Sequence, residues 1–238
     1  MILAKKSNNP VLALGYFIQG LRLLLSPALR RFLIIPIIIN LMLYGVALTL
    51  GYYFMNDLIS RFIPSWLQWL DWLLWPLFFI CFFIAGFFTF TMMANLLAAP
   101  FYGKLAAKTR LLIAGHDSLA EEQPLAKVMA AEFKRFFYLA SRAVPLLILF
   151  IIPGVNVTAP FLWALFGAWG MALEYFAYPL ENEGVLFEEQ KKIASSIRLG
   201  ALSFGGLTML GLSLPLLNIV VAPAAVIGAT IYVHENKE

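Results

Sequence analysis

Long apolar segments separated by short polar ones dominate this chain, and the lengths of those segments predict its elements. Two of them, about Leu33–Met55 and Leu73–Ala99, suit single membrane-crossing helices, which take roughly 20 apolar residues each. Two later stretches have an awkward length. Ala143–Leu173 is a run of 31 uncharged residues and Leu199–Val233 a run of 35. Either is longer than one span and shorter than the about 45 residues that two spans and a turn need. Both are broken near the middle, by Pro153, Gly154, Asn156 and Pro160 in the first and by Pro215, Asn218 and Pro223 in the second. The economical arrangement is a pair of helical hairpins that dip partway into the bilayer and return. Broken helices at membrane depth are tolerated where they pack inside protein or line a wet cavity, and such segments often mark conduction paths.

The flanking segments are amphipathic. Residues 11–30 read as an interfacial helix, with Leu14, Phe17, Ile18, Leu21 and Leu25 on one stripe and Gln19 and Arg22 off it. Residues 101–142 read as cytoplasmic helices broken around Gly115, His116 and Asp117, where Ser118 and Glu121 fit a capping box. Lys127, Lys134, Arg135 and Arg142 there form a basic face turned to water or lipid headgroups. The expected fold class is an all-α integral membrane protein forming one membrane domain over 1–238. It has two long transmembrane helices (33–55 and 73–99), two partly inserted, re-entrant hairpins (143–178 and 199–233) and cytoplasmic amphipathic helices.

Composition and charge sharpen this picture. Hydrophobic residues make up 62% of the 238, charged residues 13%, and the mean hydropathy is +0.84, so lipid rather than water is the expected solvent. The net charge of +4 is therefore not a nucleic-acid signal, and what matters is where the basic residues fall. Between the first two spans, residues 56–72 hold one basic residue, Arg61, and the other 16 of 17 lie before the first span or after the second. The positive-inside rule places both termini and 101–142 in the cytoplasm, with 56–72 outside beside an interface belt of Trp66, Trp69 and Trp72. Gln19 and Arg22 interrupt the first apolar run, so no cleavable leader is expected. The single cysteine, Cys81, excludes a disulfide framework and a thiolate metal site.

The candidate chemistry is anion binding. Ser26 followed by Pro27 reads as an N-cap and first helical residue, leaving free amides near Ala28 and Leu29. A helix N-terminus favours an oxyanion, and Arg30 and Arg31 add forked donors suited to a tetrahedral one; alternatively the two arginines only fix topology. Fresh helix starts after Asn156 and Asn218 would also present positive dipole ends, and the Asn side chains would satisfy freed backbone groups. Glu174 ends the first hairpin's uncharged run and is a candidate for a pore or network, or for pairing with a basic residue. Asn40 and Asn95 lie within the spans and suit bonds across helices. His116 and His234 lie in polar segments, and neither an H-E-x-x-H motif nor a Walker-type loop is present. No catalytic residue, metal or cofactor is expected, and the chain is not expected to be an enzyme. A non-conducting scaffold or regulator, or an oxyanion channel of broad selectivity, are the competing readings.

Several motifs resemble one known family in order along the chain. They are Gln19-Gly20…Pro27…Arg30-Arg31-Phe32, Ala94-Asn95…Pro100-Phe101, Ile152-Pro153-Gly154, Ala168-Trp169 leading to Tyr178-Pro179, and Pro215-Leu-Leu-Asn218. Together they are similar to the CysZ-type bacterial sulfate permeases. The resemblance implies sulfate uptake across the inner membrane for cysteine biosynthesis, long transmembrane helices with partly inserted hairpins, and homo-oligomers. It also implies that Arg30 and Arg31 are the sulfate-binding pair. The chain departs from the family before Tyr178-Pro179, where Ala177 stands in place of a common aspartate.

Overall fold

A computed structural model describes residues 3–62, 69–115, 125–214 and 217–238. Among the described residues a 3-10 turn at Lys5–Ser7 is followed by eight helices: α1 Pro10–Leu24, α2 Arg31–Phe62, α3 Asp71–Ala114, α4 Leu125–Leu149, α5 Ala159–Glu181, α6 Phe187–Ser196, α7 Arg198–Leu212 and α8 Asn218–Glu235. Among the described residues the only β contact is an isolated antiparallel bridge between Leu3 and Lys237. The sequence reads as one membrane domain; the fold divides into two compact units, Ile34–Pro100 and the remainder (Met1–Leu33 with Phe101–Glu238).

The unit of Ile34–Pro100 is a helical pair. α2 has a mean hydropathy of 2.3 in its most apolar stretch, none of it buried. A helix that is apolar all round and unburied by protein belongs in lipid. Its contacts with α3 are aromatic: Tyr52 stacks on Trp75 with ring centres 4.9 Å apart, and Tyr44 meets Phe82 edge-on at 6.5 Å. Gly86 makes room for Tyr44, because a Cβ there would come within 2.8 Å of the phenol oxygen. α3 does not end near Pro100, as the sequence suggests, but continues to Ala114. A proline removes one backbone bond and can kink a helix without ending it. The capping box at Ser118–Glu121 and Trp66 lie outside the described residues, as do the side chains of Asn40 and Asn95.

The other unit is built around α8. Every residue from Val221 to Val233 is buried, with α1, α5 and α7 packed around the helix. Tyr232 forms an aromatic core with Tyr16 (stacked, 4.9 Å), Phe176 and Phe204. Two crossings are backbone to backbone. A Cβ at Gly20 would collide with the Ala224 carbonyl of α8, and one at Gly205 of α7 would collide with the Ala168 carbonyl of α5. Small residues permit such approach where lipid, being as apolar as the side chains, supplies no drive to pack. This sets the buried face of α1 as Ala13, Tyr16, Phe17, Gly20 and Leu24. Of the apolar stripe expected on this interfacial helix, Leu14, Ile18 and Leu25 are exposed and Phe17 is buried. α1 is capped by Asn9, whose Oδ1 accepts from Val11 N–H at 2.9 Å, and it ends at Leu24 rather than running on to 30.

Two breaks interrupt this unit. Residues 150–158 separate α4 from α5, with Gly154 at φ +83°, a left-handed conformation glycine adopts without strain. Residues 213–217 separate α7 from α8. Pro223, read from the sequence as part of that break, sits buried inside α8. The two asparagines do not cap the helices that follow: the cap positions are Thr158 and Leu217, neither with a side-chain cap bond. The cap of α7 comes from far away, because Asn8 Oδ1 accepts from Leu199 N–H at 2.7 Å.

Candidate anion site

The segment between α1 and α2 is a tight turn over residues 25–30. The Ser26 carbonyl accepts from the Leu29 N–H at 3.1 Å and the Arg30 N–H at 2.9 Å. Ser26 thus begins a helical turn, but α2 proper starts four residues after Pro27, at Arg31. The Ser26 hydroxyl does not cap it: the oxygen is buried with no hydrogen-bond partner among the described residues. The amide of Leu29, expected to be free, is occupied by Ser26, whereas Ala28 N–H makes no hydrogen bond among the described residues. Leu29 is fully buried in the core with Leu24. That anchor fixes the turn and leaves Pro27, Arg30 and Arg31 exposed. Neither guanidinium meets a carboxylate among the described residues; Arg31 lies 5.4 Å over the ring of Phe32. Two adjacent, unneutralised forks on a turn pinned from beneath can receive a tetrahedral oxyanion without first breaking an ion pair.

The remaining charges are arranged in the opposite way. Arg135 of α4, which the sequence places on a solvated face, is buried, with 8% of its side chain exposed. It pairs with Glu132 at 2.9 Å, Glu181 at 3.0 Å and Glu174 at 3.8 Å, and donates to Gln190 Oε1 at 2.8 Å. Gln190 in turn donates to the Val185 carbonyl at 2.8 Å, so one guanidinium ties α4 to α5 and α6. Glu174 also accepts from the Tyr178 hydroxyl at 3.2 Å. Burial raises the pKa of Glu132 above the ordinary carboxylate value; Arg135 pulls it down, and Glu181 and Glu174 push it up. This cluster escaped the sequence reading. Its one local signal is the spacing of Glu174 and Glu181, which puts two carboxylates on one face of an otherwise apolar helix.

Asn156 is exposed in the first break and Asn218 is the half-buried first residue of α8. Neither is brought to the arginine pair by a hydrogen bond among the described residues. No group of three metal-ligating side chains occurs among those residues.

An all-helical chain with apolar helices long enough to cross a bilayer is a helical membrane protein, here carrying an exposed arginine pair. Its family follows from comparison. Residues 16–223 match the family described as "Sulfate transporter CysZ/Etoposide-induced protein 2.4". "Sulfate transporter CysZ" of Pseudomonas paraeruginosa (strain PA7) is 40% identical, covering 94% of this chain and 95% of that protein. The protein of the same name in Pseudomonas fluorescens (strain Pf0-1) is 39% identical over 91% and 90% of the two chains. That of Pectobacterium atrosepticum is 38% identical over 90% and 82%. The chain belongs to this family.

Proposed function

We propose that this protein carries sulfate across the bacterial inner membrane, by channel-like or gradient-driven flux, and that the sulfate supplies cysteine biosynthesis. The observation that carries the proposal is the Arg30–Arg31 pair, exposed and without a carboxylate partner among the described residues, in a chain whose relatives bear the name sulfate transporter. Sulfate is bound by the two guanidinium forks and the Ala28 amide. Ser26, Pro27 and Leu29 shape the turn and contribute no contact of their own.

In this proposal the α4–α5 and α7–α8 pairs enter the bilayer partway as hairpins, and the protein works as a homo-oligomer. α8 has 18 residues, about 27 Å at 1.5 Å per residue, close to the roughly 30 Å of a hydrocarbon core. Its burial by α1, α5 and α7 supports a role inside the protein rather than as a separate lipid-facing span. The Leu3–Lys237 bridge supports a topology with both termini on one side of the membrane, and the distribution of basic residues favours the cytoplasm for that side.

The test is uptake of radiolabelled sulfate into proteoliposomes, comparing the native chain with the Arg30→Ala, Arg31→Ala double variant at matched reconstitution. Native uptake that collapses in the variant supports both the substrate and the site. Equal uptake by the two would return the arginines to a topological role, and no uptake by folded native protein would sink the transport proposal.

A further inference from the structure

The exposed face of α4 is more one-sided than its place in the chain requires. Met129, Phe133, Phe136, Val144, Leu147 and Ile148 are each more than half exposed. Their spacings of three, four and eight put them on a single stripe along the helix. The opposite face packs inward through Ala131 and Arg135, which are buried, and Tyr138 and Leu139, which are half-buried. The apolar stripe therefore continues without a step from the segment read as cytoplasmic, up to 142, into the hairpin arm that begins at 143. Lys127 and Lys134 lie along one boundary of the stripe and both are exposed. Arg142 is exposed too, its guanidinium 3.6 Å above the Tyr138 ring. The one described acid of the helix, Glu132, is engaged with Arg135; of the α6 acids Glu188 and Glu189 that share a hollow with Lys127 and Lys134, Glu188 is bonded to Lys191 at 3.0 Å.

We propose that this face of α4 lies against an anionic lipid leaflet from Met129 onward, with the phenylalanines at the level of the headgroup–acyl boundary and Lys127 and Lys134 on the lipid phosphates. The inference rests on the membrane setting proposed above and adds a partner to it. The charge pattern selects that partner. Lysine stems lie along apolar surface while their ammonium groups reach polar headgroups, and lysines beside an anionic leaflet are drawn to it.

Spin labelling tests this directly. The chain has one cysteine, exposed Cys81, so a Cys81→Ala background accepts single labels at Phe136→Cys and, independently, at Phe133→Cys and Val144→Cys. The labelled proteins are placed in phosphatidylcholine vesicles with and without phosphatidylglycerol, and collision rates are measured with oxygen, which partitions into lipid, and with a water-soluble nickel chelate. The expected result is high oxygen and low nickel accessibility at all three positions. At Phe133 and Phe136 the difference should widen with phosphatidylglycerol, and Lys127→Gln with Lys134→Gln should abolish that widening. High nickel accessibility at Phe133 and Phe136 would place the face in water and overturn the proposal. Low accessibility to both reagents would overturn it in favour of a protein partner. Sulfate uptake by the same vesicles reads transport separately: uptake with water-exposed labels sinks only this surface, and lipid-exposed labels without uptake sink only the transport proposal.

Discussion

Arg30 and Arg31 on one side and Arg135 on the other are the same residue type put to opposite uses. The first two stand on an exposed turn with no carboxylate among the described residues. Arg135 is buried against three glutamates and a glutamine. A guanidinium surrounded by carboxylates has little left to offer an anion. One left unneutralised can bind an anion but contributes nothing obvious to holding helices together. The contrast separates a residue available to a ligand from one committed to the architecture, and each member predicts a different failure.

The largest effect is expected at the buried arginine. Arg135→Ala leaves Glu132, Glu174 and Glu181 unpaired beside one another; because those carboxylates are 48%, 45% and 30% exposed, the cost falls below the about 3–5 kcal/mol of breaking a fully buried pair. Thermal unfolding in detergent should show a large fall in Tm, and an unchanged Tm would erase the distinction between the two kinds of arginine. Next comes Arg30→Ala alone. Losing a charge-assisted hydrogen bond of about 1.5 kcal/mol weakens binding about tenfold, which titration of the purified protein with sulfate would read, while the Tm stays where it was. A matching loss of stability would place Arg30 in the architectural class. Arg31→Lys sharpens the comparison further. It keeps the charge and loses the fork, so sulfate binding should fall less than in Arg31→Ala yet measurably below native.

The smallest effect concerns pH. The raised pKa of Glu132 means the folded state holds that proton more tightly than the unfolded chain does. Its contribution to stability is thus fully present below the ordinary carboxylate pKa and is lost as pH rises through the raised value. Glu132→Gln should therefore flatten the stability profile across that window, and a native profile already flat there would contradict the environment described for Glu132.

The break between α4 and α5 was legible because glycine states its backbone demand locally: Gly154 at positive φ is the kind of position the sequence announces, whereas of the prolines read into the second break Pro223 lies inside α8 and Pro215 outside the described residues. The face of α1 was not. Hydropathy favours a stripe through Leu14, Ile18 and Leu25, but the packing is decided by Gly20, which has no side chain to register and admits the α8 backbone. The start of α2 was misplaced for a similar reason. Pro27 is as compatible with a turn as with a first helical residue, and it is the burial of Leu29 that fixes the turn. Arg135 looked solvated since all its partners but Glu132 come from other helices, Gln190 lying 55 residues away. Of the site itself, the arginine pair could be read from charge and position. Which amide stays free could not, because that depends on the Ser26 carbonyl taking two donors.

The clamp between the two ends of the sequence also constrains when the second unit can be finished. Asn8 supplies the cap of α7, and Tyr232 donates to the carbonyl of Ser7, 225 residues away. A ribosome releases α1 long before either helix exists, so α1 must wait at the membrane with its Gly20 face uncovered until α8 emerges. Contacts this distant along the chain form late and slowly. The bundle around α8 therefore closes only once α8 has been made, and a chain lacking Tyr232 has no means of completing its core.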